Sequence, residues 1–286
     1  MKHTKAQKLR NLLNTRPLIA GVGARDALDA RLIENTGFDF VWASSFCVSV
    51  AHCVPDASIL SMTQFLETAR AMNEVIDIPI VFDADTGYGG VANTVYAVRL
   101  LEEADMGAIC IEDKMFPKQS SLLPGGTHPL VPMEEFARKI AAAKSAQRQG
   151  DMVVIARTEA LIAGLGLDEA LRRAEAYAAA GADMILFHSK SKTPDEIVEC
   201  VKRWSGKVPV TLVPTNYPDL DEPAMEAMGK VKMVIYGNQT VRAAVKAVEE
   251  VLQEIRRSRG ARSIEERIAT VNRVFALQGE KMPEKV

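Results

Sequence analysis

The sequence predicts a (β/α)8 barrel of the TIM type. Eight short β-rich runs alternate with helical patterns, the length suits one barrel, and polar residues collect where the apolar runs end. The chain has 286 residues, against roughly 250 for a single barrel, so a single domain over 1–286 with helical extensions at both ends is expected. Hydrophobic residues make up 48% of it, ample for a large core. An open doubly wound sheet fits less well, because the first apolar run lacks a GxGxxG turn and the alternation repeats eight times.

In chain order, an N-terminal helix is expected near Lys5–Leu13, followed by strands at Pro17–Val22, Phe38–Ala43, Pro79–Asp83, Ala108–Glu112, Met152–Arg157, Met184–His188, Pro209–Pro214 and Lys232–Tyr236. Each run is nearly all apolar, as for strands covered on both faces. Ser61–Val75, Met133–Ala146, Asp168–Ala180 and Gln239–Ile255 carry apolar residues at intervals of three and four, the period of an amphipathic helix. A last helix is expected near Ile264–Leu277. The connection Asp113–Pro132 is far longer than a usual βα loop, and its four prolines with Gly125 and Gly126 forbid a regular helix. Because it leaves the C-terminal end of a strand, where barrels carry their active sites, it reads as a lid.

A net charge of −2 with both signs interspersed offers no basic field for a phosphate backbone, so no nucleic-acid partner is expected. No run of 18 apolar residues and no signal-like apolar segment occurs, so a cytoplasmic protein without a membrane partner is expected. Cys47, Cys53, Cys110 and Cys200 show no CxxC spacing and read as structural.

The ends of the predicted strands are rich in chemistry. Strand two ends in Ser44-Ser45, strand three in Asp83-Ala84-Asp85, strand four in Glu112-Asp113, strand five in Arg157 and strand six in His188, while strand eight leads into Asn238. Asp83 and Asp85 would share one side of an extended backbone, with Glu112 on the next strand. Three carboxylates without matching cations repel, and a divalent ion relieves that cost; oxygen ligands favour Mg²⁺ or Mn²⁺. A lone aspartate in DADTGYG would more simply cap a turn, but the trio favours a metal site. Arg157 could grip an anion with its planar fork or only neutralise Glu159 or Glu112. His188 could be an acid, a base, an anion ligand or a structural group. His3, His52 and His128 read as structural, with His128 in the lid the next candidate.

The blocks VPDASILSM (54–62), DADTGYGG (83–90), IEDKMFPKQSSL (111–122), VIARTEALIAGLGLDEALRRAEAYAAAGADMILFHSK (153–190), LVPTNYP (212–218) and VIYGNQTVRAA (234–244) resemble the phosphoenolpyruvate mutase and phosphonopyruvate hydrolase branch of the isocitrate lyase superfamily. The resemblance spans nearly the whole chain. It implies a small 2-oxo acid substrate and Mg²⁺ held by Asp83, Asp85 and Glu112, partly through water. It also implies that the Ser44, Ser45, Phe46 turn binds the oxo acid, that Asp56 lies by the reacting group, that Arg157 and His188 bind the phosphonyl end, and that Lys118 arrives from the lid. C-terminal helices exchanged between subunits, in a homo-oligomer (dimer or tetramer), are a further implication. Lyases of the superfamily resemble K-[KR]-C-G-H in the lid, mutases K-x-N-S and the hydrolase K-x-T-S. Here the lid reads Lys118-Gln119-Ser120-Ser121, without a thiol. The Ser120 hydroxyl is chemically nearer threonine than an asparagine amide. Hydrolysis of the P–C bond of phosphonopyruvate is therefore the expected activity, with the mutase reaction as the alternative and C–C lyase chemistry a weaker one.

Overall fold

The structure, a computed structural model, describes residues 3–279. The chain divides after Asn238 into a barrel unit and a helical unit that begins at Gln239.

The barrel unit opens with α1 (Lys5–Thr15), whose start is fixed by a capping box between Thr4 and Gln7. Eight parallel strands then close in sequence order: β1 (Ile19–Ala24), β2 (Phe40–Ala43), β3 (Ile80–Asp83) and β4 (Ala108–Glu112), then β5 (Val153–Thr158), β6 (Met184–Phe187), β7 (Val210–Leu212) and β8 (Val231–Tyr236). The strand expectations hold to within two residues at every boundary. Between β1 and β2 runs α2 (Ala27–Thr36), capped by Asp26 and ended by Gly37 at φ 91°, a conformation glycine adopts without strain. Two helices follow β2, α3 (Ser45–Ala51) and α4 (Met62–Val75); the others are α5 (Val91–Glu103), α6 (Met133–Ala146), α7 (Gly166–Ala179), α8 (Asp195–Arg203) and α9 (Glu222–Ala227). In α4 the buried residues Phe65, Leu66, Ala69 and Met72 recur every three or four positions, which is why this helix has one inward face.

Strand parity is what positions the site. Residues of one parity, among them Phe82, Ile109, Ile111, Val154, Ala156, Ile185 and Phe187, belong to the large cluster that also holds the inner faces of the helices. Those of the other parity, among them Phe40, Trp42, Val81, Cys110, Val153, Ile155, Leu186 and Ile235, form a second cluster that fills the barrel. Burying each such large side chain contributes about 1.5–3 kcal/mol. Gly21 belongs to this inner set: a Cβ there would lie 2.3 Å from the Phe40 ring, so only glycine leaves room for it. Two residues beyond Val81, Cys110, Ile155 and Leu186 come Asp83, Glu112, Arg157 and His188. The column that is oily below becomes charged at the C-terminal mouth.

The helical unit contains α10 (Gln239–Ser258), a 3-10 turn at Glu265–Arg267 and α11 (Val271–Gln278). The single helix expected near Ile264–Leu277 is broken: Ile268 is extended and Thr270 starts a new helix by accepting from the Arg273 amide. Among the described residues no helix is long and apolar enough to cross a membrane. Cys47, Cys110 and Cys200 are buried as expected, whereas Cys53 is exposed at the turn that ends α3.

Candidate active site

The long connection after β4 folds over the mouth. Its two stems are joined where the Val131 amide donates to the Asp113 carbonyl at 2.9 Å, and Lys114 bridges to Leu130 in antiparallel fashion. Arg173 of α7 clasps both stems, donating to the Asp113 carboxylate at 3.0 Å and to the Val131 carbonyl at 3.1 Å, while Tyr177 donates to Asp113 at 2.6 Å. Asp113 is completely buried, and burial pushes its pKa up against the pull of these donors. Sequence reading noted Asp113 only as a strand end; its partner Arg173 is 60 residues away and left no local signal.

The tip of the lid carries Lys118 into the mouth. Its backbone N–H donates to Ser58 at 3.1 Å, and its ammonium lies 2.6 Å from Asp85, 2.9 Å from Asp56 and 3.0 Å from the Ser45 hydroxyl. Burial alone would lower its pKa, but Asp85, Asp56, Glu112 and Asp83 together hold it well above the usual lysine range. The expected Ser44–Phe46 turn is the N-terminus of α3: the Ser44 hydroxyl caps it by accepting from the Cys47 amide at 3.2 Å. Ser45 then donates to Asp83 through its hydroxyl at 2.8 Å and its amide at 3.2 Å.

The reading of Asp83 and Asp85 on one extended strand is corrected here. The strand ends at Asp83, and Asp85 sits at φ 50°, so a turn rather than strand periodicity brings the second carboxylate in. The turn faces Asp85 to Lys118, where burial, only partly offset by that lysine, raises its pKa to about 7. Burial likewise raises the pKa of Asp83. Glu112 is 2% exposed, and its Oε1 accepts no hydrogen bond.

Arg157 lies across the mouth and is shared between carboxylates, with Nε 2.6 Å from Glu159 and 3.3 Å from Glu112. His188 Nδ1 is 2.7 Å both from Arg157 Nη2 and from Glu159 Oε1, and a neutral ring serves only one of them at a time. Burial and the adjacent guanidinium hold this imidazole below its usual pKa, against the pull of Glu159. Glu159 is the opposite case: burial would raise its pKa, but Arg157, His188 and Lys114 hold it well below the usual carboxylate range. Two lid residues that the sequence reading passed over also converge there, Lys114 at 3.1 Å and the Ser121 hydroxyl at 2.6 Å from Glu159.

Of the residues singled out beforehand, Ser44, Ser45, Phe46, Asp56, Asp83, Lys118, Ser120, Arg157 and His188 line one cavity; Asp85 and Glu112 do not line it but contact Lys118 and Arg157, which do. Asn238 lines the same cavity. His3, His52 and His128 lie outside it. Ser120 is partly exposed, and its hydroxyl makes no side-chain hydrogen bond among the described residues. Five carboxylates (Asp56, Asp83, Asp85, Glu112 and Glu159) thus meet three cations (Lys114, Lys118 and Arg157), an excess of two negative charges when all are ionised. Among the described residues no three His, Cys, Asp or Glu side chains converge tightly enough to cage an ion unaided.

The phosphoenolpyruvate phosphomutase family matches this chain over residues 9–256. The chain belongs to that family. A phosphonopyruvate hydrolase of Variovorax sp. (strain Pal2) is 50% identical over 278 residues, covering 97% of this chain and 96% of the relative. A phosphoenolpyruvate phosphomutase of Tetrahymena pyriformis is 43% identical, covering 96% and 92%. The crystal structure of a phosphonopyruvate hydrolase in complex with oxalate and Mg²⁺ superposes with a TM-score of 0.92 at 49% identity, covering 97% of this chain and 95% of that one. Within the phosphoenolpyruvate phosphomutase family, then, this barrel resembles both a hydrolase and a mutase, and more of its residues match the hydrolase.

Proposed function

We propose that this chain hydrolyses the P–C bond of phosphonopyruvate to pyruvate and inorganic phosphate, with a divalent ion, Mg²⁺ in the first place, at the acidic side of the mouth. The observation that carries this reading is the polarity of one covered cavity: an acidic cluster at the ends of β3 and β4, cations at the end of β5 and in the lid, and the uncommitted Ser120 hydroxyl on its wall.

The side chains suit an ion. Two surplus negative charges match a divalent cation, burial makes Asp83 and Asp85 costly to ionise without one, and the Glu112 Oε1 atom is buried without a hydrogen bond. Mg²⁺ is commonly held by one or two carboxylates and keeps several waters, so it does not require a full cage of side chains. Asp83, Asp85 and Glu112 would hold it, and when bound it would draw electron density from the ketone oxygen. Mn²⁺ offers the same oxygen chemistry.

Cleavage sends the P–C bonding pair into the oxo acid as an enolate, while a water oxygen bonds to phosphorus and the enolate carbon gains a proton. The enolate end is assigned to Ser44, Ser45 and Phe46, so oxalate, a planar dianion like the enolate, should bind there with Mg²⁺. The phosphoryl end is assigned to Arg157, His188 and Lys118, whose charge would meet the group as it separates. Asp56, in contact with Lys118, fixes where that ammonium points. Ser120 would orient the water, whereas a mutase must keep water out and return the phosphoryl group to the enolate oxygen. Phosphorus NMR after incubation with phosphonopyruvate and Mg²⁺ should report inorganic phosphate with little phosphoenolpyruvate at any time. Interconversion of the two organic species without phosphate release would replace the hydrolase reading with the mutase one.

The working form is proposed to be a homo-oligomer. Along α10 the residues Val241, Val245, Val248, Leu252 and Ile255 repeat at intervals of four and three, and Val245, Val248 and Leu252 are 48%, 56% and 59% exposed. A second copy covering this stripe would explain it. Val248→Glu should lower the mass measured by light scattering, and an unchanged mass in that variant would count against the stripe as the interface.

A further inference from the structure

We infer that Glu159, to which the reading above gives no part, is a positioning residue: it sets the geometry of Arg157 and His188 and makes that geometry depend on lid closure. The inference rests on the assignment of those two residues to the phosphoryl end.

Glu159 follows β5 directly, is completely buried and does not line the cavity, so it acts on a substrate only through its neighbours. Its carboxylate is fully used. Arg157 Nε and the Ser121 hydroxyl reach it at 2.6 Å, His188 Nδ1 lies 2.7 Å away, and Lys114 Nζ 3.1 Å away. A carboxylate has about four acceptor sites, so these four groups saturate it. Two of them belong to the barrel and two to the lid. The Glu159 amide also donates to Asp113 at 2.8 Å, the carboxylate that Arg173 and Tyr177 clasp at the lid stem. Both the head group and the backbone of Glu159 are thereby tied to the closed lid.

The effect on Arg157 is directional. Nε is turned to Glu159, and Nη2 serves Ser121 at 3.2 Å and lies 2.7 Å from His188. Nη1 makes no hydrogen bond to protein among the described residues and is the nitrogen left for an anionic oxygen. If the lid lifts, Ser121 and Lys114 leave. Arg157 then loses the Ser121 contact and is no longer locked between Glu159 and Glu112, which lies only 3.3 Å from its Nε.

The test is calorimetric and needs no turnover: wild type, Glu159→Gln and Ser121→Ala are titrated with oxalate plus Mg²⁺ and, separately, with inorganic phosphate. Glu159→Gln keeps the shape but removes the charge, and should weaken phosphate binding by about 10- to 100-fold, as loss of a supporting partner commonly does. Ser121→Ala removes one hydroxyl of the lid and should weaken phosphate by about threefold to tenfold. Oxalate should hold within about threefold in both, since no hydrogen bond joins Ser44, Ser45 or Phe46 to Glu159 among the described residues. Glu159 reaches the ion side only indirectly, through Arg157 and Lys114 beside Glu112. Equal weakening of both ligands, or unchanged phosphate affinity, overturns the inference, as does a wild type that binds oxalate but no phosphate. Should Glu159→Gln not fold, Ser121→Ala decides by the same outcomes. Product analysis with phosphonopyruvate tests the hydrolase reading separately.

Discussion

Lys118 in the lid and Lys5 in α1 are equally hidden, 6% and 7% exposed, yet they stand in opposite electrostatic positions. They flank the same strand. Lys5 donates to the carbonyls of Asn73 and Ile76, just ahead of β3, and Lys118 contacts Asp85, just beyond it. Burial penalises the charge of both. At Lys118 four carboxylates more than repay that penalty, whereas at Lys5 burial wins over Asp105 and the pKa falls to about 8. The difference teaches that burial weakens a charge unless a surplus of opposite charge surrounds it, and that surplus lies at the mouth.

The largest expected effect comes from the surplus itself. If the carboxylates act through a divalent ion, chelation should abolish turnover and Mg²⁺ should restore it; a rigorously metal-free enzyme at full rate would remove the ion from the account. Lys118→Ala should come next. It leaves Asp56 and Asp85 without their cation and should lower kcat by about 10²- to 10⁴-fold while changing oxalate affinity far less. Comparable losses in both would mean that Lys118 holds the ground state, not the departing phosphoryl group.

A smaller effect is expected at Ser120. Ser120→Asn fills the wall where a water is assigned and should slow hydrolysis by about tenfold, with a trace of phosphoenolpyruvate detectable by phosphorus NMR. An unaltered rate would leave the Ser120 hydroxyl without a part. Smallest for catalysis, and the sharpest check on the comparison, is Lys5→Met, which should leave turnover within about twofold, like other changes remote from a site. Between about pH 8 and the ordinary lysine pKa, the unfolded chain binds a proton that folded Lys5 does not, so stability should rise with pH across that window. The contribution is complete above the window and lost as pH falls to about 8. Denaturant titrations at several pH values should find that rise in the wild type and less of it in Lys5→Met; identical slopes would contradict the assigned cause.

Much of the site was legible because inward parity and strand ends are local signals. Asp83, Glu112, Arg157 and His188 each follow an apolar run by the spacing that points them into the mouth. Asp56, Lys118 and Ser120 were reachable only through family resemblance, since an aspartate after proline and charges in a loop are unremarkable by themselves. Ser121 and Lys114 were missed, and Glu159 was read only as a possible counter-ion of Arg157. Their importance arises from distances across the fold, and Ser121 and Glu159, 38 residues apart, form a single hydrogen bond. The mouth is not open to water, since Asp83 beneath the lid is only 6% exposed. Asp83→Ala therefore deletes a buried charge and should alter stability as well as turnover.

The sequence by itself determined the barrel, its strand positions and the chemical character of its mouth, because the periods of burial and the placing of polar residues after apolar runs are properties of contiguous chain. The tertiary structure alone decided that Asp85 turns toward Lys118, that the lid's stems are clasped by Arg173, and that one buried glutamate gathers donors from both barrel and lid. Those choices depend on which charges share a small, water-poor volume, where attraction is strong and an unpaired group is costly, and no local pattern encodes that volume.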